Sequence, residues 1–149
     1  MDVNAANPND DGWTALHYAS HECLDHVVEQ LIRKFNANVN QLTSNGRNAL
    51  HIACTQQHKG VIERLLLAGA NANVKARSDG NTPLHILARF SGGSGIGLDL
   101  IKLLLPFSQE SLNIPNKNGL LPYQMTPYQN IRDLLTPRQS SQFQITHVV

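Results

Sequence analysis

A chain of 149 residues with 41% hydrophobic content is long enough to bury one modest core, and a single Trp keeps that core light in aromatics. Twelve Lys and Arg against eleven Asp and Glu leave a net charge of +1, which gives no long-range pull toward phosphate backbones and argues against direct nucleic-acid binding. Neither an apolar run of about 18 residues, as a membrane span requires, nor the basic, apolar, small-residue order of a signal peptide is present.

The first element opens with DGWTALHYA at 11–19, and this block returns as NGRNALHIA at 45–53, as DGNTPLHILA at 79–88 and, degraded, as NGLLPYQMT at 118–126. Gly12, Gly46, Gly80 and Gly119 set intervals of 34, 34 and 39 residues. Self-similarity at this period marks stacked units that cannot bury their apolar faces alone, so the chain reads as a short solenoid with an extended surface rather than a closed pocket. In the first unit Thr14 can cap a helix, and Asn36 can hold the left-handed stop of a second one. The second unit has the clearest pattern: Asn48 as cap, Leu50, Ala53, Val61, Ile62, Leu65 and Leu66 at helical spacings, and Gly69-Ala70 as the stop. Small residues at Ala19, Ala53 and Ala88 let successive first helices approach closely.

The third unit begins with Thr82 as cap and is interrupted by SGGSGIG at 91–97, read as a flexible insertion before a second helix starting at Leu98-Asp99. In the fourth, Leu121 cannot cap, and Gln124 and Thr126 replace the histidine and alanine of the other blocks. Thr136-Pro137 stops the last helix, and RQSSQFQITHVV has too little apolar periodicity for another unit. Its HVV end lacks the Ser or Thr of the commonest PDZ ligands.

A D-G turn followed by T-P-L-H-x-A, recurring every 33 residues or so, resembles the ankyrin repeat over roughly residues 3–136. The resemblance implies an all-α ankyrin-repeat solenoid of helix-turn-helix units with β-turn fingers. Its divisions are a partial N-terminal finger at 1–10, repeats at 11–44, 45–78 and 79–117, a degenerate capping repeat at 118–136 and a tail at 137–149. Asp2-Val3-Asn4-Ala5 resembles the close of an earlier repeat, and repeat one carries one extra residue near Phe35.

The resemblance also implies a protein-binding module, with contacts at the turn tips and at the exposed ends of the first helices. These are Asp10, Asp11, Trp13, His21 and Glu22; Ser44, Asn45, Arg47, Thr55 and Gln56; and Ser78, Asp79, Asn81, Arg89 and Phe90, with Lys117, Asn118, Leu120, Tyr128 and Gln129 in the cap. The partner is expected to be another protein, held by a monomer acting as adaptor or inhibitor without chemistry and without a cofactor. The alternative is a targeting or substrate-recruiting domain of a larger enzyme or a pathogen effector. Trp13 can instead cover the N-terminal end of the stack. The family further implies that asparagines closing a repeat, here Asn40, Asn73 and Asn113, can be hydroxylated, although the usual acidic residue two positions earlier is Asn38, Asn71 and Ser111.

Chemistry finds little support. His17, His51 and His85 belong to the repeated block, where the family uses the imidazole structurally. The group His21, Cys23 and His26 offers three metal-ligand side chains without an evident fourth. The glycines of 91–97 miss the G-x-G-x-x-G offsets and no Lys-Ser/Thr follows, while G-x-S-x-G and H-E-x-x-H are absent. Cys23 and Cys54 lie in different units and are expected to be free thiols, which fits a reducing compartment, the cytoplasm or the nucleus.

Overall fold

The structure is a computed structural model describing residues 2–93 and 95–137. Each repeated block becomes a helix pair: α1 (Ala15–His21) with α2 (Asp25–Arg33), α3 (Ala49–Gln56) with α4 (Lys59–Leu67), and α5 (Pro83–Phe90) with α6 (Gly95–Leu104). The fourth unit has shrunk to a 3-10 turn (Pro122–Met125) and α7 (Gln129–Leu135), and no strand occurs among the described residues. First helices stack α1 on α3 on α5 on the 3-10 turn, and second helices stack α2 on α4 on α6.

The core follows the period of the sequence. Leu50, Ala53, Val61, Ile62, Leu65, Leu84, Leu87, Leu100, Ile101 and Leu104 are all buried between successive pairs, with Ile131 and Leu135 closing the stack from α7. Left-handed stops stand where they were expected, at Asn36 (φ 54°) and Gly69 (φ 88°). Phe35 is the extra residue of the first unit: the N–H after the stop reaches back six residues from Ala37 to Leu31, but only five from Ala70 to Leu65.

Between units the fingers zip together through their backbones. Ser44 N–H donates to the Asp11 carbonyl (2.8 Å), Arg77 N–H to that of Asn45 (2.6 Å) and Lys117 N–H to that of Asp79 (3.0 Å). At the other edge, carboxamides clamp each unit to the next. Asn4 accepts from Asn38 N–H (2.8 Å), Asn40 from Asn71 N–H (2.7 Å), and Asn73 from both the N–H and the hydroxyl of Ser111 (3.0 and 2.6 Å).

Two expectations need correction. Residues 95–97 of the glycine-rich stretch are the first turn of α6 rather than part of a flexible insertion, so the helix starts at Gly95 and not at Leu98-Asp99. Two of the four glycines of the stretch serve close packing: a Cβ on Gly97 would come within 2.6–2.9 Å of Ser91, and one on Gly93 within 2.6 Å of the Tyr128 ring, whereas Gly92 and Gly95 face open space. The second correction concerns the third finger, which is one residue longer than the second. Its closing bond runs from Ala76 N–H to Asn81 C=O, whereas Thr43 pairs with Arg47 and Asn116 with Leu120. In that register Arg77, not Ser78, shares a rung with Ser44 and Lys117. Residues 138–149, and with them the HVV terminus, lie outside the described residues.

Candidate functional site

The three block histidines hold the fingers to the helices. Each Nδ1 accepts the N–H of the capping residue (Thr14 at 2.9 Å, Asn48 and Thr82 at 3.2 Å), and each Nε2 lies 2.9–3.1 Å from a carbonyl of the following finger, Gln41, Asn81 or Leu120. Those partners are satisfied together by the neutral tautomer protonated on Nε2, an assignment that follows from the network. Burial favours the same neutral form, pushing His17 and His85 below the ordinary imidazole value and His51 down to about 4. In the fourth unit Gln124 takes over one of these duties, accepting the Leu121 N–H at 2.8 Å.

Between the first and second units a cleft of about 290 Å³ opens beside the fingers, lined by Asp11, Trp13, His21, Thr43, Asn45, Arg47, Ile52, Thr55 and Gln56. Trp13 is half-buried, its ring 5.2 Å from Tyr18, 5.6 Å from His21 and 6.1 Å from His17, so packing holds the indole while part of the residue stays accessible. Tyr18 in turn donates its hydroxyl to Asp10 (2.6 Å). Asn45 donates to the Asp11 carboxylate (3.0 Å), and Arg47 pairs with Asp79 at 2.9 Å across to the third finger. The cleft therefore combines an aromatic wall with charged groups already held in place, an arrangement suited to binding a side chain rather than transforming it.

Not every residue expected at the surface is there. Asn81 is buried: its carbonyl receives His51 Nε2 and its Oδ1 receives Asn116 Nδ2 (2.9 Å), so it is a structural pin between fingers. Glu22, Ser44, Ser78, Arg89 and Phe90 are exposed outside the cleft, with the Arg89 guanidinium 5.4 Å from the Phe90 ring. In the cap, Lys117, Asn118, Tyr128 and Gln129 are exposed and Leu120 is half-buried. Sequence reasoning did not single out Tyr18, which packs on Trp13, or Ile52, a buried residue that reaches the cleft wall. It also missed Arg77, which the extra finger residue shifted out of the aligned column.

His21, close in sequence to Cys23 and His26, hydrogen-bonds Glu22 (3.0 Å), and no metal-type cluster of three His, Cys, Asp or Glu groups gathers among the described residues. Cys23 and Cys54 are both free. The outer face carries a separate network: Asp25 holds His58 (2.5 Å) and Arg64 (3.1 Å), and Glu29 holds Arg33 (3.3 Å). Among the described residues no helix is long and apolar enough to cross a membrane.

A sequence model for ankyrin repeats, in three copies, matches residues 21–118. The chain is 33% identical over 116 residues to the probable 26S proteasome regulatory subunit p28 of Saccharomyces cerevisiae, covering 77% of this chain and 48% of that protein. It is 31% identical over 111 residues to the tyrosine-protein kinase HTK16 of Hydra vulgaris, covering 73% of this chain and 14% of the kinase. Human Rabankyrin-5 is 39% identical over 81 residues, 54% of this chain and 7% of its own length. The chain thus spans about half of the yeast relative and a small part of the other two.

Proposed function

Because this chain belongs to the ankyrin-repeat family, whose repeats are protein–protein interaction modules, we propose that it is an adaptor or inhibitor that captures one partner protein along its finger tips and first-helix ends. The observation that carries this reading is the cleft, where Asp11, Trp13, His21, Asn45, Arg47, Thr55 and Gln56 converge from two units, with Trp13 packed on Tyr18 and His21 and Arg47 paired with Asp79. Trp and Arg, both on the wall of this cleft, are among the residue types that dominate interface energetics. Free thiols in the structure support a reducing compartment, the cytoplasm or nucleus, as the setting.

A second reading is a recruiting domain within a larger protein, favoured by relatives in which the matched region is 14% or 7% of the whole. One experiment serves both: capture of partners from lysate, followed by affinity measurements on the purified pair. Single Trp13→Ala, Arg47→Ala, Arg89→Ala and Phe90→Ala changes should weaken binding by more than about 1 kcal/mol in at least two cases. Normal binding by all four, with loss in Glu29→Ala, Arg33→Ala or Glu63→Ala, would move the site to the outer face and end the proposal.

A further inference from the structure

The charges on the finger side are sorted by unit. At the first unit stand Asp10, Asp11 and Glu22; at the third and fourth stand Lys75, Arg77, Arg89 and Lys117, all four exposed. Among the described residues none of these four cations lies in an ion pair, although seven such pairs form elsewhere on the chain. Asp79 is the one carboxylate on the third and fourth fingers, and it is taken by Arg47 at 2.9 Å. Arg77 and Lys117 occupy successive rungs of the finger ladder through their backbone N–H groups, so their main chains are pinned while their side chains face solvent. Ser44 fills the same rung in the second unit, so the fold does not require a cation there. Arg89 lies over the Phe90 ring, but no carboxylate among the described residues answers any of the four, and like charges left without a counter-charge are placed to meet charge from outside.

We infer that the third and fourth finger tips receive an acidic segment of a partner protein, and that the segment turns basic or neutral where it crosses the first unit. This rests on the reading of the finger side as the interaction face. A nucleic acid matches less well: it is anionic throughout and would meet Asp10, Asp11 and Glu22 along the same row, whereas a polypeptide can change sign along its length. Desolvated Arg77 and Lys117 would then set specificity and association rate, with the aromatic cleft at Trp13 supplying apolar contact at the other end.

The test uses the full chain and four fluorescent probes at 50 and 300 mM salt. They are a 16-residue peptide with a Glu-rich half and a Lys-containing half, its Glu→Gln counterpart, the Lys-only half repeated, and a 16-nucleotide single-stranded RNA. The mixed peptide is expected to bind, to weaken at least fivefold in the Glu→Gln form, and to weaken at least fivefold again with an Arg77→Ala/Lys117→Ala variant of unchanged circular dichroism. Three outcomes overturn the inference: no binding of the mixed peptide, equal binding by the RNA, or peptide binding insensitive to the double variant. If that last outcome comes with loss of binding in Trp13→Ala, the interaction face stands and only its acid selectivity falls; if Trp13→Ala is also silent, both fall.

Discussion

Leu65→Ala and Leu67→Ala remove the same three carbons from one helix, yet the structure gives them opposite consequences. Leu65 is 0% exposed, between α4 and its neighbours, whereas Leu67 is 85% exposed at the end of the same helix. Transfer alone assigns about 2.5 kcal/mol to the carbons lost at position 65, at roughly 0.8 kcal/mol per buried methylene. The cavity adds about 1 kcal/mol, because neighbours on both sides belong to other helices and relax only in part, giving about 3–4 kcal/mol in all. Against a domain stability of about 5–15 kcal/mol that is a large fraction, and it should lower the thermal midpoint by about 10 °C. Leu67→Ala should stay within about 0.5 kcal/mol of the parent. Urea unfolding followed by circular dichroism checks both, and a changed slope for Leu65→Ala would report that the units no longer unfold together. Equal losses for the two variants, or no loss at position 65, would refute the stacking register on which every other assignment depends.

Acid should weaken the fold through its histidines. The folded chain holds His51 near 4 and the unfolded chain near 6.5, so the unfolded state takes up protons that the folded state refuses. The contribution is fully present above pH 6.5 and is lost as pH falls toward 4, amounting to about 3 kcal/mol from His51 alone; a urea midpoint constant from pH 7 to 5 would contradict it. His51→Gln should be less stable at neutral pH but show a shallower acid slope. Asn73→Ala removes two bonds to Ser111 and should cost about 1–2 kcal/mol, seen in hydrogen exchange as lost protection at 105–135 with residues 15–56 unaffected. Thiol labelling should find Cys23, half-buried and left-handed at φ 57°, before Cys54, whose thiol burial pushes up and seals completely. Modification of Cys54 at the rate of Cys23 would mean that α3 opens readily in the native state.

The fold was legible because every unit solves the same packing problem with the same residues. Leu50, His51 and Ala53 recur as Leu16, His17 and Ala19 and as Leu84, His85 and Leu87-Ala88, and all are buried. What the repeat concealed is where residues had been added. Two equal intervals of 34 between glycines arise from different causes, the extra Phe35 after α2 and the extra residue in the third finger. A glycine-to-glycine count cannot tell these apart, whereas backbone hydrogen bonds can. Composition misled at 91–97 for a related reason. Glycine there reads as freedom, but at Gly97 it answers the approach of Ser91, and at Gly93 it makes room for Tyr128.

The candidate site was legible in part, and its failures have one origin. Trp13, Arg47 and Asn81 share one position in the repeated block yet differ in size and charge, which on the sequence alone reads as freedom from the core. The structure separates the three. Trp13 and Arg47 line the cleft, while Asn81 spends its carboxamide and carbonyl on Asn116 and His51. Variation alone therefore shows that a position is not fixed by the repeated core; it does not show that the residue faces a partner, because a unit can use a variable position to solve a local problem of its own. The extra residue in the third finger creates such a problem, and Asn81, with the Asp79 carboxylate accepting its N–H at 2.9 Å, is part of how that longer turn is closed. At such variable positions Arg77, Arg89, Phe90 and Lys117 are exposed, while Trp13 and Arg47 are half-buried on the cleft wall, and these are the positions that the proposed interface would use.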